Sequence, residues 1–501
     1  MPTNLLIRSI PSILPVITTM INMSLQQNCF PDVWKEAIVQ PRLKKVELDA
    51  SFANLRPVSN LAYISKLTEK AVFQQLHKHT ASNNLYPTLQ SAYRKNHNTE
   101  SSLLKVFNDI LLEMNNQNVT LLVFLDLSAA FDIIDHNILI ARLNSNLGIS
   151  EPALSWFKEY LSDRSQRVSI NGSISKKFII SSGVPQGSCL GPLLFIIYAS
   201  DLFKVLNKHS VKAHAYADDS QLYLSFKPGH IDNQNAATNT ITNCIKDIQR
   251  WMTCSKLKMN DGKTEFMIIG TRQQLSKQSI NHLTVGTSSI EPSSSVRNLG
   301  TIFDTNLSLD KQIASTCKSS FYYLYNIRKI RKFLSPNSCA TLVNAFITCR
   351  IDYCNSLYYG LPAYQIAKLQ RLQNAAARLV SLTPRFSHIT PILADLHWLP
   401  VRFRIRFKIL IFAFTAIHGL APSYLSDLIS IRKQSSYNLR SNNEVLLVPP
   451  PATFRPTLGG RTFSYAAPVE WNSLPSSIRH ITSLATFKEH LKTYFYRKAF
   501  L

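Results

Sequence analysis

Three carboxylates are the residues best suited to chemistry in this 501-residue chain. Asp126 lies at the end of an apolar run (120–127), and Asp218 and Asp219 occupy the tip of a hairpin-like segment (214–226). A strand end and a hairpin tip can lie side by side in one sheet, so their distance along the chain is no obstacle. Carboxylates that converge there could bind paired Mg²⁺ ions for phosphoryl transfer. A polar turn is the alternative interpretation of the two adjacent aspartates.

A glycine- and proline-rich segment, SSGVPQGSCLGPLLFIIYASDL (181–202), lies between these acids. Gly183, Pro185, Gly187 and Gly191 leave its backbone bare just before an apolar helix is predicted. A bare backbone permits close approach of a nucleotide or template strand. An ordinary Gly/Pro loop is the alternative.

Hydrophobic periodicity indicates which elements position these residues. Helices are predicted at 61–79, 100–114, 136–147, 190–206 and 236–257. Asn171-Gly172 between two β-like runs predicts a hairpin, and 214–226 predicts a second one. Strands and helices interleave without a strict βαβ rhythm, so the predicted class is α+β. The Ser-, Gln-, Asn- and Thr-rich stretch 271–295 is predicted to be a loop or a domain edge.

The charge of the chain favours an acidic polymer as its partner. The formal net charge is +25, and residues 301–501 hold 25 Lys/Arg against 8 Asp/Glu. Nucleic acid is the expected partner. The candidate binding residues form two clusters: Arg328, Lys329, Arg331 and Lys332, and then Arg402, Arg404 and Arg406. In the second cluster basic and aromatic residues alternate, which suits a phosphate-binding surface; a solvated face opposite an apolar one is the alternative.

Other features of the sequence exclude several protein classes. The eight cysteines lack zinc-ligand spacing, and no segment is a long uninterrupted apolar run, so neither a zinc site nor a membrane span is predicted. Residues 1–25 have Arg8, Pro11 and Pro15 within their apolar pattern, which favours a packed helix over a signal peptide. We therefore expect an intracellular protein, in the nucleus, the cytoplasm or both.

Four motifs in order resemble the reverse transcriptases of non-LTR (LINE-type) retrotransposons: FLDLSAAFDIIDH, SGVPQGSCLGPLLF, YADD and LKMNDGKTEFMIIG. Upstream segments resemble that family's fingers, and the C-terminal HWLPVRFRIRFKILIFAF resembles the tail of jockey-like elements. The resemblance implies a right-hand polymerase fold with a mostly helical, basic C-terminal extension. The implied divisions are an N-terminal helical segment (1–25), fingers and palm (26–304), a thumb-like region (305–390) and a C-terminal region of unknown role (391–501).

The resemblance also implies a role for individual residues near the acids. Asp126 and Asp218 would bind both metal ions with the carbonyl of Leu127, and Asp219 would be the third carboxylate of the site. Lys263 matches a lysine that helps to protonate the pyrophosphate leaving group. The implied cofactor is a pair of Mg²⁺ ions, with Mn²⁺ as a substitute.

Four further residues would bind the nucleotide. Phe131 matches the aromatic gate whose ring excludes a ribose 2′-hydroxyl. Gln186 and Gly187 match the family's Pro-Gln-Gly motif beside the incoming nucleotide. Arg94 matches a fingers arginine that binds the triphosphate. Core packing is the alternative for Phe131, and surface contacts are the alternative for Gln186, Arg94 and Lys263.

The resemblance implies RNA-directed DNA polymerase activity with an RNA template, a DNA primer or target DNA, and dNTPs. Target-primed reverse transcription is the mechanism of the family. The sequence contains no match to the endonuclease that normally precedes the polymerase, so target nicking would need an endonuclease in trans. Two alternatives stay open: a catalytically silent, truncated copy that only binds nucleic acid, and an RNA-dependent RNA polymerase.

Overall fold

The computed structural model describes residues 3–45, 47–128, 131–286, 288–432, 445–449 and 458–501. The helices before residue 255 are α1 (Thr3–Gln26), α2 (Asp32–Lys35), α3 (Tyr63–Ser82), α4 (Thr99–Asn115), α5 (His136–Leu147), α6 (Ala153–Leu161), α7 (Gly191–Ala199), α8 (Leu202–Leu206) and α9 (Ile231–Cys254). The later helices are α10 (Arg272–Leu275), α11 (Asp310–Ile330), α12 (Pro336–Val343), α13 (Cys349–Asp352), α14 (Ala363–Ser381), α15 (Ile389–Asp395), α16 (Val401–Ile417), α17 (Ser423–Ser426), α18 (Phe463–Asn472), α19 (Ser476–Arg479) and α20 (Leu484–Phe500).

The strands are mostly short and lie before residue 305. They are β1 (Glu36–Leu43), β2 (Leu55–Asn60), β3 (Val119–Leu125), β4 (Leu127–Ser128), β5 (Arg164–Ile170), β6 (Ser173–Ile174), β7 (Phe178–Ile180), β8 (Lys212–Tyr216), β9 (Asp219–Phe226), β10 (Lys258–Met259), β11 (Glu265–Ile269), β12 (Leu283–Val285), β13 (Ser288–Ile290), β14 (Ser295–Asn298) and β15 (Thr301–Asp304).

The central sheet has four strands in the order β11-β3-β9-β8, and every pair is antiparallel. Strand β3 has the sequence VTLLVFL, and its continuous apolar run suits an inner strand that is covered on both faces. The β3–β9 register runs from Val119 opposite Phe226 to Leu125 opposite Ser220. The next residue on each strand is therefore an aspartate, which brings the end of β3 to the β8–β9 turn.

A second sheet lies in the N-terminal part, in the order β2-β1-β5-β6, with β7 also paired to β5. The predicted Asn171-Gly172 hairpin is confirmed between β5 and β6, where both turn residues have positive φ (50° and 86°). Two central residues with positive φ are typical of a type I′ turn. Strands β1 and β5 pair in parallel, whereas β1 and β2 form an antiparallel hairpin.

Two large apolar cores hold the helices against the central sheet. One contains residues of α3, α5, α7 and α9, and α7 is apolar on all sides because it is buried on all sides. The other core contains Phe107 of α4 together with residues of the C-terminal helices, including Phe414, Trp471 and Phe495. Residues 391–501 thus share their core with residues 305–390 and with a helix that packs on the central sheet.

The two long helices α11 and α14 run side by side in the same direction. The amide of Gln365 at the start of α14 donates to Asp310 at the start of α11 (2.9 Å). At the other end, Arg331 donates to the carbonyls of Leu379 and Val380. In the part of the chain that is described, no helix is both long enough and apolar enough to cross a membrane.

Candidate active site

The three predicted acids lie together at one end of the central sheet. Asp126 follows β3, and Asp218 and Asp219 lie at and just after the tip of the β8–β9 hairpin, where Tyr216 pairs with Asp219. The pKa of Asp218 is raised, chiefly by burial and also by Asp126. The pKa of Asp219 is raised to about 6, chiefly by burial and then by the charges of Asp218 and Asp126. The charge of Asp126 thus acts on both aspartates of the hairpin tip.

The predicted Lys263 lies beside Asp126, with 3.2 Å between Nζ and Oδ2. Strand β10 pairs with β4, and a short 3₁₀ turn over Asp261–Lys263 then directs the lysine back toward the end of β3. The backbone N–H of Asn260 donates to the carbonyl of Asp126 (3.0 Å), which fixes this connection. The lysine side chain is largely exposed, so it offers a cation at the mouth of the cleft.

Asp126 and Asp219 line a cleft of about 420 Å³ together with Lys263, Glu265 and Arg297. Within the described ranges, no group of three or more His, Cys, Asp or Glu residues is close enough to form a complete metal site. The donors nevertheless suit Mg²⁺, because they are hard oxygens, and the negative charge of Asp126 raises the pKa of both Asp218 and Asp219. A divalent cation between Asp126 and Asp218 would relieve that repulsion.

The pairing of β4 with β10 sets the orientation of the Leu127 carbonyl. Because Asn260 donates to the carbonyl of Asp126, Leu127 and Met259 form a pair without hydrogen bonds to each other. In such a pair the C=O points away from the partner strand. The Leu127 carbonyl therefore points away from β10.

Gln90 holds the hairpin tip and was not predicted from the sequence. Its buried amide accepts from the backbone N–H of Ala217 (3.0 Å) and donates to the carbonyl of the same residue (3.2 Å). Ala217 has a φ of 59°, in the left-handed region that alanine rarely adopts. The two hydrogen bonds stabilise this conformation directly before Asp218.

Arg94 lies in the loop that carries Gln90 rather than free in the cleft. Its Nη1 donates to the carbonyls of Pro87 and Gln90, both at 2.9 Å, and its guanidinium lies 4.8 Å from the centre of the Tyr86 ring. Burial lowers its pKa. This geometry favours a role in holding the Gln90 loop over the predicted contact with a triphosphate.

Arg56 of β2 is a second cation that acts on the acids, and unlike Lys263 it was not predicted from the sequence. It is exposed, and its charge, like that of Lys263, lowers the pKa of Asp218 against the larger effect of burial. The signal in the sequence was an arginine in the segment NLRPVSN. A guanidinium beside the carboxylates is well suited to bind phosphate oxygens.

Phe131 and Gln186 lie on two segments that hydrogen bonds hold together. The Phe131 ring is half-buried, 5.1 Å from the ring of Phe195, and its carbonyl accepts from the N–H of Val184 (2.8 Å). The amide of Gln186 donates to both carboxylate oxygens of Asp132 at 3.2 and 3.0 Å. Asp132 is thus a further residue that the sequence analysis missed, and it fixes the orientation of Gln186.

Two glycines of the glycine-rich segment pack closely against the backbone of other segments of the chain. A Cβ at Gly183 would lie 2.6 Å from the carbonyl oxygen of Asp132, and one at Gly187 would lie 2.6 Å from that of Ser59. Both glycines have positive φ (86° and 122°). The close approach predicted here is therefore between chain segments, and Gly187 itself contacts β2.

Three of the four residues of the first basic cluster are exposed. Arg328, Lys329 and Lys332 are exposed around the end of α11. The prediction is wrong for Arg331, which is 6% exposed and donates to the carbonyls of Leu379, Val380 and Leu334. Its guanidinium satisfies helix-end carbonyls instead of phosphates.

The second cluster, Arg402, Arg404 and Arg406, is neither the predicted phosphate-binding surface nor a fully solvated face. Arg404 forms an ion pair with Asp352, and Arg406 forms one with Glu470 at 2.7 Å. The predicted phosphate contacts are wrong for these two arginines, because acids within the fold already neutralise them. Arg402 alone of the three is exposed, with its guanidinium 4.6 Å from the centre of the Phe403 ring.

The central sheet is antiparallel and carries one acid after a central strand and two at the neighbouring hairpin tip. This arrangement defines the palm of a right-hand nucleotide polymerase. The predicted α+β polymerase fold is confirmed. Residues 43–303 match the family described as "Reverse transcriptase (RNA-dependent DNA polymerase)". Since that match covers just over half of the 501 residues, the chain belongs to the reverse transcriptase family.

The curated relatives agree with the resemblance to jockey-like elements. The chain is 25% identical over 387 residues to the "Probable RNA-directed DNA polymerase from transposon BS" of Drosophila melanogaster, covering 75% of this chain and 41% of that protein. It is 25% identical over 411 residues to the "RNA-directed DNA polymerase from mobile element jockey" of the same species, covering 78% and 43%. The chain thus spans less than half the length of these relatives.

Among solved structures, the chain is similar to an apo telomerase from Candida Tropicalis. The TM-score is 0.40 and the sequence identity 12%, covering 83% of this chain and 72% of that one.

Proposed function

We propose that the chain is an RNA-directed DNA polymerase that extends a primer by two-metal nucleotidyl transfer. The observation that carries this proposal is the convergence of Asp126, Asp218 and Asp219 at the end of β3, with Lys263 beside them. In the reaction a primer 3′-hydroxyl attacks the α-phosphorus of a dNTP, and the bond to pyrophosphate breaks.

Asp126, Asp218 and the Leu127 carbonyl would hold two Mg²⁺ ions, or Mn²⁺ in their place. Such ions would supply charge neutralisation for the attacking and leaving oxygens. Asp219 supports the site as its third carboxylate. Lys263, 3.2 Å from Asp126, would donate a proton to the departing pyrophosphate. Arg56, whose charge acts on Asp218, would bind the triphosphate from the β2 side.

Selection of dNTPs falls to Phe131 and Gln186. The half-buried ring of Phe131 is supported from behind by Phe195, so it presents a fixed face where a ribose 2′-hydroxyl would lie. Asp132 holds the amide of Gln186, and Ser59 donates its N–H to the carbonyl of Gln186 (2.7 Å). The nucleotide-facing loop is therefore fixed before a nucleotide binds.

The partners of this activity are an RNA template, a DNA primer or nicked target DNA, and dNTPs. Under target-primed reverse transcription the nick would come from an endonuclease acting in trans or elsewhere in a longer protein. The exposed cations Arg328, Lys329, Lys332 and Arg402 are candidates for contact with nucleic acid backbones.

Primer extension on poly(rA)/oligo(dT) with Mg²⁺ and dTTP tests the proposal. Extension with dTTP but not with UTP supports an RNA-directed DNA polymerase. Extension with UTP instead would indicate an RNA polymerase. RNA binding without extension of either kind would favour a silent chain that only binds nucleic acid.

A further inference from the structure

A second concave surface lies on the helical C-terminal part, away from the carboxylates. It has a volume of about 1170 Å³ and lies between the C-terminal ends of α11 and α14. Six of its lining residues are basic and none is acidic: Arg328, Arg331, Lys332, Arg371, Arg378 and Arg385. We call this surface the distal groove.

Two of these cations have a structural role. Arg331 donates to Leu379 and Val380, whose carbonyls end α14, and Arg378 donates to the carbonyl of Ser387 (3.1 Å). Basic side chains commonly satisfy the last carbonyls of a helix in this way. Helix capping therefore explains Arg331, and a hydrogen bond to the loop that follows α14 explains Arg378.

Neither structural role explains the other four cations. Arg328, Lys332, Arg371 and Arg385 are exposed, and none forms an ion pair with an acid among the residues that the structure describes. Four unpaired positive charges around one groove repel each other and attract a chain of phosphates. The contrast with Arg404 and Arg406, which have acidic partners, marks the distal groove as a surface for an external anion.

Exposed aromatic rings surround the same cations. Phe386 follows Arg385 and is 96% exposed, and Phe333 follows Lys332 and is 76% exposed. Phe321 lines the groove itself and is also exposed. The Nζ of Lys332 lies over one face of the Phe333 ring, 4.9 Å from its centre. Exposed aromatic faces next to a basic groove are the arrangement on which unpaired bases stack, whereas a duplex presents no free base faces along its length.

The distal groove lies far from the candidate active site along α11. The start of α11 packs near the palm, where Gln312 accepts from the N–H of Ile302 (2.9 Å), and Arg297–Leu299 line the catalytic cleft. The helix has 21 residues, which at 1.5 Å per residue span about 30 Å. That distance equals the rise of about nine base pairs.

We propose that the distal groove binds a single-stranded segment of nucleic acid, separately from the template and primer in the catalytic cleft. The phosphates lie on Arg328, Lys332, Arg371 and Arg385, and bases stack on Phe333 and Phe386. The binding requires no catalysis, so it can be tested whether or not the chain is an active polymerase.

The test is fluorescence anisotropy with the full chain and 15-nucleotide oligo(rU), oligo(dT) and a duplex of equal charge. In Arg328→Gln/Arg371→Gln/Arg385→Gln, we expect the slope of log K against log salt for oligo(rU) to fall by about 2, or 0.7 for each lost contact. The matched control removes three exposed lysines elsewhere: Lys227→Gln/Lys277→Gln/Lys488→Gln. Equal slopes in the two triple variants would overturn the proposal.

Further experiments identify the ligand and its position on the chain. Phe386→Ala should weaken oligo(rU) binding about tenfold with little change in the salt slope, because it removes stacking and no charge. A 4-thiouridine oligonucleotide should crosslink within 321–333 and 382–386, also in Asp218→Asn. Preferential binding of the duplex, or crosslinks confined to the catalytic cleft, would contradict a single-strand site here. The ratio of oligo(rU) to oligo(dT) affinity distinguishes an RNA from a DNA ligand.

Discussion

Replacing Gln90 by methionine should disable the site without touching any carboxylate. Gln90 is 2% exposed and makes three hydrogen bonds through its amide, two with Ala217 and one with the N–H of Ala92 (3.1 Å). Methionine has similar length and can form none of them. At about 1 kcal/mol for each, the loss is about 3 kcal/mol in the free energy of unfolding.

The effect on catalysis follows from the two hydrogen bonds at the hairpin tip. They contribute about 2 kcal/mol to the left-handed conformation of Ala217 that precedes Asp218, which corresponds to a factor of about 30 in population. We expect kcat for primer extension in Gln90→Met to fall by up to about 30-fold at 20 °C. Urea unfolding at the same temperature verifies that the variant is folded during the assay.

Ser91→Ala is the matched control. Ser91 is also buried, and its hydroxyl bonds to His214 (2.8 Å) and Tyr424 (2.9 Å) rather than to the hairpin tip. It should lose a similar amount of stability, about 2 kcal/mol, and keep kcat within about twofold. If Gln90→Met loses stability but keeps the kcat of Ser91→Ala, then the tip does not depend on Gln90 and the reasoning is refuted.

Three further predictions concern other parts of the site and the fold. Lys263→Met should lower kcat about 100-fold with unchanged affinity for template–primer, because it removes the proton donor beside Asp126; an unchanged kcat would exclude that role. Asp132→Ala should raise the KM for dNTP about fivefold with kcat within about twofold, because Gln186 loses its anchor; an equal loss in kcat alone would contradict this. Burial lowers the pKa of His214 to about 3, so the unfolded chain takes up a proton below pH 6.5 that the folded chain refuses, and stability falls as the pH decreases. Urea unfolding should show a loss of about 1.4 kcal/mol from this residue at pH 5.5 relative to pH 8, which His214→Gln should remove.

Local patterns in the sequence predicted the elements that carry the acids. Helix α5 lies at His136–Leu147, the predicted bounds, and both predicted hairpins are present. These elements depend on neighbouring residues: a period of 3.6, an Asn-Gly turn and an apolar run that ends in an acid. The predicted helix at 190–206 is two helices with a break at Ser200 and Asp201. The predicted loop 271–295 contains the short helix α10 and the β12–β13 hairpin.

The partners of individual side chains could not be predicted from the sequence. Arg331, Arg404 and Arg406 looked like free cations because their partners Leu379, Asp352 and Glu470 lie 48 to 64 residues away. Gln90 is 127 residues from Ala217, and no local pattern marks an amide that will hold a distant hairpin. Charge and motif therefore indicate the acids, whereas the residues that position them depend on the tertiary fold.

The most direct test of the proposed activity compares the wild-type chain with Asp126→Asn and Asp218→Asn in Mg²⁺-dependent primer extension on poly(rA)/oligo(dT). Asp232→Asn is the control, because it removes one exposed carboxylate at the start of α9. We expect the wild type and the control to extend the primer, and each active-site variant to lose at least 1000-fold in rate, about 4 kcal/mol, while still binding template–primer. Extension by Asp126→Asn and Asp218→Asn at the rate of the control would contradict the proposed activity.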